Sequence, residues 1–186
     1  MKIVLATNNA DKVREFENIL GKNMLISSSG FDVEETGQTF AENAKLKALA
    51  FARLLNLPAL GDDSGLCIEA LDGAPGLYSA RYAPTMETKL ARILDEMKDV
   101  ADGDRGAIYV CALCLAFPDG RMIEVQAECS GRITRSPRGK YGFGYDSIFE
   151  SKEFDLTYGE IGEEIKSKIS HRGRAVAKIK EIMGDD

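Results

Sequence analysis

A short apolar run that empties into a polar turn and then a helical stretch sets the terms for everything downstream. Lys2 to Ala6 has the length and composition of a buried strand. Thr7, Asn8, Asn9, Ala10, Asp11 and Lys12 follow, after which Val13, Phe16, Ile19 and Leu20 share one helical face that Gly21 closes. A helix N-terminus offers backbone N–H groups and the positive end of its dipole, which suits an anion. Lys12 in the first turn opposes that dipole. A bound phosphate would account for it, and an Asn N-cap beside a solvated lysine is the plainer alternative.

The richest chemistry lies in the stretch Gly61 to Tyr82, where Asp62 and Asp63 sit between an apolar entry (Leu57-Pro58-Ala59-Leu60) and Ser64-Gly65. Neighbouring side chains of an extended segment point to opposite faces, so one aspartate can enter a site while the other supports it. An Asx-rich turn at a strand end is the alternative.

The rest of the chain reads in order. Met24 to Ser28 is expected to be a strand, and Phe31 to Gly37 an extended run in which one glutamate could face the site. Thr39 and Glu42 form a capping box for a helix from Phe40 to Leu55, with an inward stripe of Ala41, Ala44, Leu49 and Leu55. Thr85 caps a helix carrying Leu90, Ile93, Leu94 and Met97, and Asp99 to Gly106 is a polar loop. Ala107 to Phe117 and Met122 to Thr134 are two long strands joined by Pro118-Asp119-Gly120. Cys111 and Cys114 on the first of these face opposite ways with no second pair, so they are core residues rather than metal ligands. Arg132, Arg135, Arg138 and Lys140 make a basic segment that is either a solvated loop or an attractor for an anionic substrate. Tyr141-Gly142-Phe143-Gly144-Tyr145-Asp146 suits stacking on a base, or anchoring a loop. A final helix follows Ser170 and runs to Met183 with Val176, Ile179 and Ile182 inward. His171 is the only histidine, which excludes two-histidine zinc motifs.

With 186 residues and neither repeat nor linker, one domain is expected. The net charge of −6 argues against a general nucleic-acid partner. No stretch has membrane-spanning length or the form of a signal peptide, and four cysteines in apolar contexts fit a reducing cytoplasm. Carboxylates such as Glu34 and Asp63 with a few waters are what Mg²⁺ takes when it rides on a phosphate. Lys12, Lys166 and Arg172 could neutralise remaining negative charge. A carboxylate beside the metal can orient or deprotonate a water. The residues themselves therefore point to a Mg²⁺-dependent nucleotide hydrolase.

T-N-N-A-D-K at 7–12, E-E-T-G at 34–37, T-F-A-E-N-A at 39–44, D-D-S-G-L at 62–66, G-A-P-G-L-Y-S-A-R-Y at 73–82, F-G-Y-D at 143–146 and S-H-R-G at 170–173 occur in that order. This set resembles the inosine triphosphate pyrophosphatase family across nearly the whole chain. The resemblance implies an α/β fold, a long mixed sheet with flanking helices forming two lobes around a substrate cleft, and a homodimer. It implies Mg²⁺-dependent hydrolysis of ITP, dITP and XTP to the monophosphate and pyrophosphate. By position it assigns Thr7, Asn8, Asn9, Ala10, Asp11 and Lys12 to the phosphates, Glu34 and Asp63 to the metal, and Asp63 to activation of water. Ser64 would contact substrate, Phe143 would stack on the base, and Gly144, Tyr145 and Asp146 would line its pocket. Lys166 would meet the phosphates or sugar, and His171 and Arg172 would read the base. Two positions depart from the family pattern: Ser147 stands where proline is expected, and Asn8 where glycine is common.

Arg172 offers a physical basis for purine choice, because a donor-only guanidinium matches a 6-carbonyl and meets another donor on adenine. Glu35 stays open as the alternative to Glu34, since adjacent positions face opposite ways. A general nucleoside triphosphatase releasing orthophosphate, and a non-catalytic nucleotide-binding module, are the rival readings.

Overall fold

The computed structural model describes residues 2–21, 25–27 (backbone alone) and 31–184. Its strands are β1 (Ile3–Leu5), β2 (Leu25–Ser27), β3 (Ala59–Ile68), β4 (Gly106–Ala116), β5 (Met122–Ile133) and β6 (Phe149–Ser151). Its helices are α1 (Ala10–Leu20), α2 (Phe40–Leu55), α3 (Met86–Glu96), α4 (Glu163–Ile169) and α5 (His171–Met183). The strand order is β2-β1-β3-β4-β5-β6. β1 runs parallel to β2 and β3, and β6 antiparallel to β5, so the sheet is mixed and the fold is α/β. Of the strand expected at Met24 to Ser28, the two end residues lie outside the described residues. Phe31 to Gly37 forms no strand.

The chain divides into two compact units, residues 1–63, 111–127 and 167–186 making the first and 64–110 with 128–166 the second. In the first unit, alternation along the strands sorts the core onto two faces. Leu5, Leu60, Cys111, Leu113 and Leu115 pack with Phe16 of α1 and Ala175, Val176 and Ile179 of α5. Val4, Ala6, Ala59, Ala112 and Cys114 pack with Ala44, Ala48, Phe51 and Ala52 of α2. Cys111 and Cys114 thus fall in different core groups, as their spacing requires. Two apolar residues read as inward are not: Leu55 is 42% exposed and Ile182 59%. Each lies at a helix end, past the last position on its buried row.

The α2 row facing β3 is largely alanine, and that is what brings the helix close. A Cβ on Gly61 would sit 2.0 Å from the Ala44 carbonyl oxygen and 2.8 Å from the Ala48 nitrogen. Neither atom belongs to a side chain that could swing aside. Gly61→Ala is expected to lower stability by about 2 kcal/mol, read as a drop in the urea midpoint at unchanged slope.

α2 begins where Thr39 Oγ1 accepts the Glu42 N–H at 3.1 Å. The return half of the expected capping box lands one residue further back, on the Gln38 N–H at 2.6 Å. In the second unit, Thr85 and Thr88 form a reciprocal cap for α3, whose Ile93 and Met97 are fully buried. The loop before β4, read as polar, contains a buried arginine. Arg105 donates to the carbonyls of Met97 (2.5 Å), Ile133 (2.7 Å) and Thr134 (3.0 Å), closing the end of α3 onto the end of β5. Three of the four cations in the basic segment pair with carboxylates. Arg132 and Arg138 both pair with buried Glu150, and Arg135 pairs with Asp102 at 2.7 Å.

Candidate active site

The polar turn behaves as a helix start should. Asn9 caps α1, its Oδ1 accepting from the N–H groups of Asp11 (2.9 Å) and Lys12 (3.2 Å). Thr7 Oγ1 accepts from the Asn9 N–H at 3.2 Å. Asn8, the departure from glycine, donates to the Phe31 carbonyl at 3.1 Å and so ties the turn to the segment that leads to Glu34.

Beneath this turn lies a row of alternating charges. Lys12 Nζ is 2.6 Å from Asp62 Oδ2, Arg172 Nη2 is 3.6 Å from the same oxygen, and Arg172 Nη1 is 2.7 Å from Glu15 Oε2. Asp62 is 0% exposed, and the Cys111 thiol donates to its Oδ1 at 3.3 Å. Lys12 and Glu15 come from one turn of α1, and Arg172 from the first turn of α5, capped by Ser170. Burial works against the charge on Asp62. Lys12, Arg172 and Lys47 outweigh it and hold the carboxyl well below the usual range. The same pairing, with Asp62 and Glu15, raises Arg172 above its ordinary value despite burial.

Asp63 faces other partners. Asn43 donates to its Oδ2 at 3.0 Å, and Lys47 Nζ is 3.8 Å from Oδ1. Lys47 also holds Glu35 at 2.8 Å. Burial pushes the Asp63 carboxyl above its usual value, against the pull of Lys47, Lys12 and the Asn43 hydrogen bond; Glu35 adds to the rise. The doublet therefore splits as alternation along a strand predicts: one aspartate locked in its ionised form by cations, the other made more basic. Glu34 is exposed, whereas Glu35 is half-buried on Lys47.

The second unit holds five more of the expected residues together, Lys166 and the run Phe143, Gly144, Tyr145 and Asp146. Lys166, 4% exposed, donates to Asp146 Oδ2 at 2.7 Å and lies 4.9 Å from the centre of the Phe143 ring. Asp146 Oδ2 also accepts the Phe143 N–H at 2.8 Å. A Cβ on Gly142 would meet that oxygen at 2.1 Å, and its φ of +73 is open only to glycine at low cost, so the loop can close over Asp146 nowhere else in residue space. Gly144 likewise takes a positive φ, +64. Tyr145 is buried and donates to the Ser79 carbonyl at 2.7 Å, an anchor rather than an exposed ring. Ser64 is half-buried directly after Asp63 in β3, and His171 is 2% exposed at the start of α5.

The sequence reading passed over Glu15, Asn43 and Lys47. Each is a polar residue on a helix with an otherwise ordinary pattern, and only proximity to Asp62 or Asp63 marks it. Their motifs, K-V-R-E at 12–15 and E-N-A-K-L-K at 42–47, supplied the available signal.

Mixed sheet, capped helix N-terminus and split carboxylate doublet define an α/β protein that sets carboxylates and cations beside a helix start. The Ham1 family model matches residues 3–182, and the chain belongs to that family. A dITP/XTP pyrophosphatase of Gloeobacter violaceus is 48% identical over 180 residues, covering 95% of this chain and 91% of its own. One from Parasynechococcus marenigrum is 45% identical over 187 residues, covering 98% and 95%. Among solved structures, the Staphylococcus aureus Ham1 protein superposes with a TM-score of 0.87 at 38% identity, over 99% of this chain and 98% of that one. A HAM1 protein from Coxiella burnetii gives 0.86 at 37% identity over the whole of both chains.

Proposed function

We propose that this chain is a nucleoside-triphosphate pyrophosphatase, acting as one domain on the non-standard purine triphosphates ITP, dITP and XTP. It releases the nucleoside monophosphate and pyrophosphate and so cleanses the nucleotide pool. The observation that carries the reading is the split doublet, with a more basic Asp63 beside a locked Asp62 at the foot of a capped helix N-terminus. Curated relatives of nearly the same length bear the name of this activity.

The donor chemistry fits Mg²⁺. Asp63 and Glu34 supply carboxylate oxygens, and this ion is held by one or two carboxylates plus substrate phosphates rather than by a full protein cage. Among the described residues no group of three or more His, Cys, Asp or Glu is placed to hold a metal, and a two-carboxylate site requires none. When bound, Mg²⁺ neutralises phosphate charge. Residues Thr7 to Lys12 cradle the phosphates at the positive end of the α1 dipole, and Lys12 adds a cation. Asp63 orients a water and accepts its proton as the oxygen attacks phosphorus. The α–β phosphoanhydride bond breaks, and the electron pair leaves on pyrophosphate. Ser64 contacts the substrate, and Lys166 meets the phosphates or sugar. Phe143 stacks on the base, with Gly144, Tyr145 and Asp146 lining its pocket. His171 and Arg172 read the base.

The chain acts as a homodimer in the cytoplasm without a nucleic-acid partner. The net charge of −6 speaks against a nucleic-acid partner, four cysteines outside any disulfide suit a reducing compartment, and the homodimer rests on the family resemblance alone. Among the described residues no helix is long and apolar enough to cross a membrane.

The test is turnover of ITP, ATP and GTP with Mg²⁺, assaying pyrophosphate and orthophosphate separately. Pyrophosphate from ITP, about a hundredfold faster than from ATP, is expected for a pocket that hydrogen-bonds the 6-carbonyl. Orthophosphate from all three would make the chain a general triphosphatase. Nucleotide binding without turnover would make it a binding module.

A further inference from the structure

We propose that Asn43 is a positioning residue for this reaction: its one amide fixes Asp63 and the loop bearing Glu34 against each other. The inference rests on the reading of Asp63 and Glu34 as the carboxylates that hold the metal.

Asn43 is 3% exposed in the first turn of α2. Its Nδ2 donates to Asp63 Oδ2 at 3.0 Å, while its Oδ1 accepts the Gly37 N–H at 2.8 Å. A carboxylate can only accept here and a backbone N–H can only donate, so the amide has one satisfactory orientation. Gly37 lies three positions after Glu34. The loop is seated on α2 at a second point, where Glu42 Oε2 accepts the Gln38 N–H at 2.6 Å. Gly37 permits the approach: a Cβ there would lie 2.7 Å from Asn43 Oδ1 and 2.7 Å from Glu42 Cβ. One turn further along α2, Lys47 reaches both Glu35 and Asp63. Positions 43 and 47 share a helix face, so α2 sets a neutral donor and a cation on the two oxygens of Asp63. The cation alone would leave the carboxylate able to turn about its bond. The amide removes that freedom and ties the turn of the carboxylate to the seat of the loop.

Groups that orient a metal-holding carboxylate matter nearly as much as the carboxylate, at about 10- to 100-fold in affinity or activity. Two variants test the idea from opposite sides. Asn43→Ala removes the amide; Gly37→Ala keeps every polar group and pushes the amide off the loop. The probe is Mn²⁺, its free fraction followed by electron paramagnetic resonance with α,β-methylene inosine triphosphate present. Both variants are expected to raise the Mn²⁺ concentration at half-saturation about tenfold. At saturating metal, their KM for ITP should stay within about threefold of wild type, with kcat reduced. Asn43→Gln should recover part of the metal affinity.

Unchanged Mn²⁺ binding in folded Gly37→Ala and Asn43→Ala would overturn the assignment, as would a loss confined to thermal stability. If Asn43→Ala does not fold, Gly37→Ala decides alone. Wild type that takes up no Mn²⁺ with the analogue would instead remove the underlying reading of Asp63 and Glu34.

Discussion

Asp63→Asn is expected to end pyrophosphate release from ITP, with kcat down by about 10²- to 10⁴-fold, the usual contribution of a positioned general base. KM should move little on the proposed placement of the phosphates at the α1 N-terminus and Lys12. Stability should move the other way. The folded carboxyl of Asp63 lies above its ordinary value because burial disfavours its charge. A raised carboxyl value means the ionised group destabilises the folded chain above that value, and the effect vanishes as pH falls below the unfolded value. At neutral pH without metal, Asn therefore relieves a strained charge, and the thermal midpoint should rise. Activity lost together with stability would show that Asp63 is a structural carboxylate after all. Activity lost with stability kept separates chemistry from folding in one variant. The comparison belongs in chelator, since a metal on Asp63 would reverse the electrostatics.

How much of this was legible beforehand follows from how local each feature is. The Asn9 cap, the Thr39 and Thr85 caps, Gly21 and the Pro118-Asp119-Gly120 turn depend on residues within a few positions of each other, and their sequence signatures hold in the structure. The split of Asp62 from Asp63 is also local, since it needs only an extended backbone. What could not be read was pairing over distance. Glu15 and Arg172 are 157 residues apart, and nothing near either announces the other. Arg105 looked like one more charge in a polar loop, yet it is buried because three carbonyls at two element ends need its donors. The basic segment read as a solvated loop or an attractor for an anion, and its pairing with Glu150 and Asp102 could not be read from it. Leu55 and Ile182 show the converse error. Apolar periodicity gives the face of a helix but not where its cover stops.

Asp62 tests the other half of the doublet, and its variant should fail for the opposite reason. Asp62→Asn keeps the shape and removes a charge that faces both Lys12 and Arg172, whose side chains are 16% and 6% exposed. Removing one partner of a buried ion pair leaves the other charge poorly compensated, which costs about 3–5 kcal/mol. Glu15 still holds Arg172 at 2.7 Å, which places the expected loss at the lower end of that range. The pH dependence gives a signature that a simple packing defect lacks. The folded carboxyl of Asp62 lies below its unfolded value, because Lys12, Arg172 and Lys47 outweigh burial. Its contribution is therefore complete above the unfolded value and declines as pH falls from about 4 towards the folded value. Urea midpoints of wild type and Asp62→Asn should stand furthest apart at neutral pH and converge in acid. For Asp63→Asn, the same measurement should show a gap of opposite sign that also closes in acid. Two adjacent carboxylates on one strand would then differ in the direction of their effect on stability. A gap for Asp62→Asn that stayed constant down to pH 3 would mean that Lys12 and Arg172 do not depend on its charge. The alternating row would then be a consequence of packing rather than its cause.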